Sequence, residues 1–328
     1  RTSTAACWNN WPRRPEPRAA GARHPLPAGR HAPAHPGMTT LAQLIADTER
    51  QLRQAGVAFG HGTTNAHDEA AWLVLHALGL PLDTDFSGPE GNQPVAPAGR
   101  AQAATLLKAR IDTRQPLAYL IGQAWLQGVP FHVDARAIVP RSLIAELIAD
   151  GGIDPWLSER TTRVLDLCTG NGSLAVLAAL AWPGVQVAAA DLSADALAVA
   201  RINVERHGLQ ARITLIESDG LAACPGPYEL ILCNPPYVNA ASMAALPPEY
   251  RAEPALALAG GADGMDFVRA LLRDAPAHMA EGAVLVLEIG HERAHFDAAF
   301  PRLNPVWLDT SAGGDQVLLL TREDLLRR

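Results

Sequence analysis

Lysine is nearly missing from this chain, with Lys108 alone against 26 arginines, and cysteine is held to four positions. The cysteines, Cys7, Cys168, Cys224 and Cys233, form no C-x-x-C pair, which argues against a disulfide framework and against a zinc site of the usual cysteine type. A reducing cytoplasm is therefore the expected compartment. Cys168 and Cys233 fall in or beside apolar strand patterns, where a thiol is ordinarily a small buried hydrophobe. Long apolar runs are absent too: polar or charged residues interrupt every candidate before the roughly 20 residues of a spanning helix, so no membrane partner is expected. Arginine in place of lysine, with abundant alanine, is the mark of GC-rich coding DNA and points to a bacterial source.

Acid is scarce only in residues 1–37, which hold seven prolines, six arginines and the single acid Glu16. Such a stretch cannot bury enough apolar surface to offset its ordering entropy and is expected to be disordered. Met38 precedes the first helical pattern and is a plausible native start, with a transit segment as the rival reading of the arginines. Beyond residue 37 the balance is 21 basic against 33 acidic residues, a net charge of −12. An acidic body of this kind is a poor non-specific binder of nucleic acid, and no direct nucleic-acid recognition is expected.

Residues 38–115 carry three helical patterns. The first places Leu41, Leu44, Ile45, Thr48 and Leu52 near one face; the second runs from a cap at Asn65 to a stop at Gly79; the third starts near Gly99. Aromatic and β-branched residues around Gly128-Val129-Pro130 predict a hairpin linker over 116–140. From Arg141 onward helices alternate with strands at RVLDLC, QVAAAD, ITLIES, YELILCN, AVLVLEIG, PVWLD and QVLLLT. Helical stretches between the first five predict parallel pairing, and the last two predict an antiparallel edge hairpin.

The first strand leads through DLCTGNGSLA into a helix, where Gly170 and Gly172 allow a tight turn and close approach of a ligand to free helix N–H groups. Asp191 ends the second strand 19 residues after Gly172, placed for ribose hydroxyls, and Ser218-Asp219 ends the third, suited to an adenine edge. These glycines and acids fit NAD as well as any other adenosine-bearing cofactor. The fourth strand discriminates. It breaks on Asn234-Pro235-Pro236-Tyr237, which hydride transfer has no use for. An amide nitrogen awaiting methylation does, because its lone pair is delocalised into its carbonyl. Two acceptors, the Asn234 side-chain oxygen and the Pro235 carbonyl, can orient the N–H groups, Pro235 and Pro236 hold those carbonyls outward, and Tyr237 can offer a flat face to a planar group.

DLCTGNG, Asp191, Glu217-Ser218-Asp219 and NPPY, in this order, resemble the class I S-adenosylmethionine-dependent methyltransferases that modify glutamine side chains in proteins, over residues 40 to 325. The resemblance implies an α/β, Rossmann-like seven-stranded methyltransferase domain (141–328) after the small helical domain. It implies S-adenosylmethionine contacts by Asp166, Cys168, Thr169, Gly170, Asn171, Gly172, Asp191, Leu192, Asp219, Gly220 and Asn234, with Asn234, Pro235, Pro236 and Tyr237 catalytic. The segment from Ala118 to Ile148 is similar to the branch of this family acting on ribosomal protein L-three. The branch acting on peptide release factors, the alternative partner, typically has IPRPDTE-like residues where Val139-Pro140-Arg141-Ser142 stand. Leu143 replaces the family's usual proline, and Gly220 replaces a frequent aromatic. DNA adenine methyltransferases share an NPPY-like motif, but the acidic body and the lack of a basic recognition domain oppose them. A non-catalytic cofactor sensor and an NAD-dependent oxidoreductase lie outside the class. His291-Glu292-Arg293-Ala294-His295 matches H-E-x-x-H, yet no third ligand stands out, so no metal is expected.

Overall fold

The computed structural model describes residues 38–327, so the expectations for residues 1–37, Cys7 included, lie outside the described residues. Two compact units emerge: residues 38–57 with Thr63–Thr113, and Ala58–Gly62 with residues 114–327. Among the described residues no helix is long and apolar enough to cross a membrane.

The first unit is helical. α1 (Leu41–Gln54) begins at a capping box in which Thr40 and Gln43 satisfy each other's backbone N–H groups, and it buries Leu41, Ile45, Thr48 and Leu52 along one stripe. α2 (Ala66–Leu78) is capped by Asn65 and stops at Gly79, whose φ of 66° is the left-handed conformation that glycine adopts without strain. α3 (Pro97–Thr113) brings Arg110, fully buried, to the equally buried Glu69 of α2 at 2.7 Å.

The second unit opens with α4 (Leu117–Ile121) and the hairpin of β1 (Gln123–Leu126) and β2 (Val129–His132), closed by Gln127 and Gly128, both at positive φ. α5 (Ile144–Ala149) follows. Then come β3 (Arg163–Leu167), α6 (Ser173–Ala181), β4 (Gln186–Asp191), α7 (Ala194–Arg206), β5 (Ile213–Glu217) and β6 (Tyr228–Cys233). The chain ends through α8 (Ala240–Ala245), α9 (Asp266–His278), β7 (Met279–Glu288), α10 (Arg293–Ala299), β8 (Val306–Thr310), β9 (Gly313–Thr321) and α11 (Arg322–Leu326). The hairpin is fastened to α7 by Asn203, whose amide exchanges bonds with the His132 backbone at 2.7 and 3.0 Å and also reaches the Asn171 carbonyl at 2.9 Å.

Seven strands form one sheet in the order β5-β4-β3-β6-β7-β9-β8, parallel except for β9, which runs antiparallel to both its neighbours. Strand residues alternate between two cores: Val164, Leu230 and Leu232 face one, Leu165, Leu167, Ile231 and Cys233 the other. One expectation fails. No helix separates β5 from β6; residues 218–227 cross as turns, because Pro225 and Pro227 deny a helix its N–H groups. Between β3 and β6 the strand order reverses, and a crevice opens at their carboxyl ends.

The Arg110–Glu69 pair yields a stability test for the helical unit. Glu69→Ala strips a carboxylate from a guanidinium cut off from water and is expected to cost about 3 kcal/mol in urea unfolding; a loss below about 1 kcal/mol would show that the pair is incidental.

Candidate active site

At the end of β3 the backbone turns left-handed three times, at Cys168 (φ 61°), Gly170 (φ 55°) and Gly172 (φ 80°). Cys168 is the costly member, since a side chain at positive φ is strained by about 1–3 kcal/mol. Gly172 is required twice over: beyond its φ, a Cβ there would lie 3.1 Å from the Ala200 Cβ on α7. The turn is braced from both sides. Asp191 accepts the Gly170 N–H on one carboxylate oxygen and the Ser193 N–H on the other, each at 2.9 Å, leaving further lone pairs on both. Burial raises its pKa, and these backbone bonds oppose the rise. Behind the turn, Asp166 accepts the Thr169 hydroxyl and the Ala175 N–H.

The crevice holds about 800 Å³ of empty volume, part of it open to solvent. Of the residues expected from sequence, it brings together Cys168, Gly170, Asp191, Leu192, Asp219, Gly220, Asn234 and Pro236. Asp166, Thr169, Asn171, Gly172, Pro235 and Tyr237 are not on its lining. Asp166 is fully buried and braces the turn from behind the lining through its bonds to Thr169 and Ala175. Leu192, next to Asp191 on the lining, is exposed. Asn234, by contrast, faces the crevice with no hydrogen bond from its side chain to another described residue.

Tyr237, off the lining and partly buried, donates its hydroxyl to Glu288 at 3.3 Å, and its ring lies against Gly290, where a Cβ would come within 2.5 Å. Burial, then the Glu288 carboxylate, pushes its pKa well up. Gly260 and Gly264 press equally close on its backbone. The GGADG run near residue 260 is thus the mould around the Asn234–Tyr237 turn.

Sequence reasoning missed two walls of the crevice: Arg136–Ile138, and Pro254, Leu256 and Ala257, with Phe267 beside them. The first is held by the Tyr119 hydroxyl on the Ala137 carbonyl at 2.6 Å. The second follows Glu253, a buried carboxylate that accepts the Val139 N–H at 2.9 Å and both Arg141 terminal nitrogens at 2.7 Å. Burial alone would raise Glu253, but Arg141 and His61 outweigh it and hold it at about 2. His61 also packs against Tyr250, ring centroids 4.3 Å apart and planes inclined by 54°. The H-E-x-x-H match dissolves in space: His291 sits in the turn before α10, and Glu292 is engaged by Asn239 and His295.

The methyltransferase small domain family model matches residues 154–246. A ribosomal protein uL3 glutamine methyltransferase of Bordetella pertussis is 56% identical over 88% of this chain and 97% of its own length. Namesakes from Burkholderia pseudomallei and Neisseria meningitidis are 49% and 46% identical, over 87% and 88% of this chain and 95% of each relative.

The buried strut generates a pH prediction. Burial lifts the Asp166 carboxyl to about 7, offset only in part by its bonds to Thr169 and Ala175. Between the ordinary carboxylate range and about 7 the folded chain retains a proton that the unfolded chain has released. This group's contribution therefore favours folding at low pH and is lost as pH rises through about 7. Asp166→Asn removes the effect. Denaturant melts from about pH 4 to about pH 8 should show the wild type losing stability relative to the variant by at most about 1.4 kcal/mol per pH unit, then levelling. A difference independent of pH would refute the assignment.

Proposed function

This chain belongs to the ribosomal protein uL3 glutamine methyltransferase family, and from that premise we propose that it transfers a methyl group from S-adenosylmethionine to a glutamine side-chain amide of ribosomal protein uL3. The supporting observation is Asn234, whose side-chain amide has no hydrogen-bond partner among the described residues and faces the crevice beside the glycine turn at the strand-order reversal. The residues present fit the cofactor: Asp191 keeps lone pairs for ribose hydroxyls, Asp219 is on the same lining for the adenine amine, and Gly170 leaves open space at the turn, with nothing within 4 Å of a Cβ built on it. When bound, S-adenosylmethionine supplies an electrophilic methyl on a sulfonium sulfur.

The protein's own task is to prepare a poor nucleophile. The Asn234 oxygen accepts one N–H of the substrate amide and the Pro235 carbonyl, off the lining but between Asn234 and Pro236 that are on it, accepts the other, turning the lone pair toward the cofactor side of the crevice. Pro235 and Pro236 fix the chain direction so that neither acceptor must reorganise as the reaction proceeds. The nitrogen becomes acidic once alkylated, so its proton leaves to solvent without a dedicated strong base. Membership in a methyltransferase family replaces the dinucleotide reading of the glycine turn. The release-factor reading is the second arm of the test.

Labelled methyl transfer to purified uL3 and to a release factor, followed by mass spectrometry of the product, separates the two substrates. Methylglutamine on uL3 is expected; label only on the release factor would overturn the substrate assignment. Asn234→Ala should slow single-turnover transfer by on the order of 10²-fold or more while changing cofactor affinity little. Asn234→Asp keeps an acceptor but adds a charge that stabilises the sulfonium ground state. That variant should bind cofactor at least as well as wild type yet stay slow, and near-wild-type transfer by Asn234→Ala would remove the role given to the amide.

A further inference from the structure

Two consecutive residues, Arg141 and Ser142, reach two different buried carboxylates. Arg141 forks onto Glu253, next to the crevice wall that begins at Pro254. The Ser142 hydroxyl donates to Glu288 Oε2 at 2.6 Å, and the Leu143 N–H donates to the same oxygen at 2.9 Å. The other Glu288 oxygen accepts the Tyr237 hydroxyl at 3.3 Å. Ser142 and Glu288 lie 146 residues apart in the chain and are both buried, at 6% and 4% exposure. Neither lines the crevice, so neither touches the reacting atoms.

The arrangement is expensive as mere scaffolding. A carboxylate taken out of water costs several kcal/mol before its partners compensate, and an apolar residue of like volume often stabilises a core better. Burial does raise Glu288 above the ordinary carboxylate range, opposed by its bonds to Ser142 and Leu143. What the carboxylate achieves is directional. It holds the hydroxyl at the far end of Tyr237, and Tyr237 is joined to Asn234 through two prolines that leave little backbone freedom between them. Glycines at 260, 264 and 290 fix the ring and backbone from the remaining sides. The orientation of the acceptor turn is thereby referred to Ser142.

We propose that Ser142 and Glu288 are positioning residues for methyl transfer, holding the Tyr237 hydroxyl and through it the acceptor oxygens of Asn234 and Pro235. This inference rests on the methyl-transfer reading above. Leu143 serves the same anchor, because a proline at this position could not supply the N–H that it gives Glu288.

The test is a double-mutant cycle on full-length protein, read by single-turnover transfer to uL3 at saturating cofactor, by calorimetric cofactor affinity and by thermal midpoint. Ser142→Ala should slow transfer roughly tenfold, since sub-ångström misplacement of a positioning group is costly, with cofactor affinity within about twofold of wild type. Ser142→Thr, which keeps the hydroxyl, should restore the rate. In a Tyr237→Phe background, Ser142→Ala should add less than about twofold, because both changes break one relay. A purely structural role would lower the thermal midpoint but leave the rate measured well below it untouched. Wild-type rate in Ser142→Ala, failure of Ser142→Thr to rescue, or independent slowing in the double variant would overturn the inference while leaving the methyl-transfer reading intact. Absence of transfer by the wild type to any protein substrate would instead remove that reading, and this inference with it.

Discussion

The parallel pairing of β3 with β6 is the constraint on which the rest depends. Their register sets Leu167 opposite Cys233, so the glycine turn that follows one strand and the Asn-Pro-Pro-Tyr turn that follows the other emerge side by side. Because the sheet order reverses between them, their flanking helices diverge to opposite faces and leave the crevice uncovered. A one-residue slip would exchange the two core faces of β6, placing Ile231 and Cys233 where Leu230 and Leu232 pack. The cores therefore hold the two turns in register.

Around that pairing the chain places carboxylates in different roles. Asp191 reaches the crevice and is steadied by backbone N–H groups; Asp166 and Glu288 are struts; Glu253 is an anchor for two walls. Their environments differ accordingly. Burial lifts Asp166 and Glu288, while Arg141 and His61 pull Glu253 down. The low-dielectric surroundings that make these groups costly also make their hydrogen bonds strong and directional, and a methyl acceptor needs direction.

Local patterns were enough to read the strands, the helix caps at Asn65 and Gly79, the glycine turn and the Asn234 turn. Each is written in a few adjacent residues. The walls at Arg136–Ile138 and Pro254–Ala257 were illegible because their place depends on partners far along the chain, such as Val139 with Glu253, 114 residues apart. The bracing by Asp166 was hidden for a related reason: beside a glycine turn, an acid that props the loop and an acid that meets a ligand have the same sequence signature. The packing of Tyr237 was hidden too, because an aromatic after two prolines gives no hint of the glycines at 260, 264 and 290 that press on it. Between β5 and β6, the helix expected from the strand–helix alternation is one that Pro225 and Pro227 do not allow.

Ala58–Gly62 belongs with the larger unit although residues on both sides of it belong to the helical one. There Ala58 gives its N–H to Glu249, and His61 packs against Tyr250 beside Glu253. A chain beginning at Arg114 would therefore be missing a piece of its own core scaffold, and no single cut in the backbone yields two complete halves. Such interleaving bears on descent. A helical segment joined end to end in front of an existing enzyme would leave that enzyme whole, whereas here a cut that removes the helical unit also takes Ala58–Gly62 from the larger one.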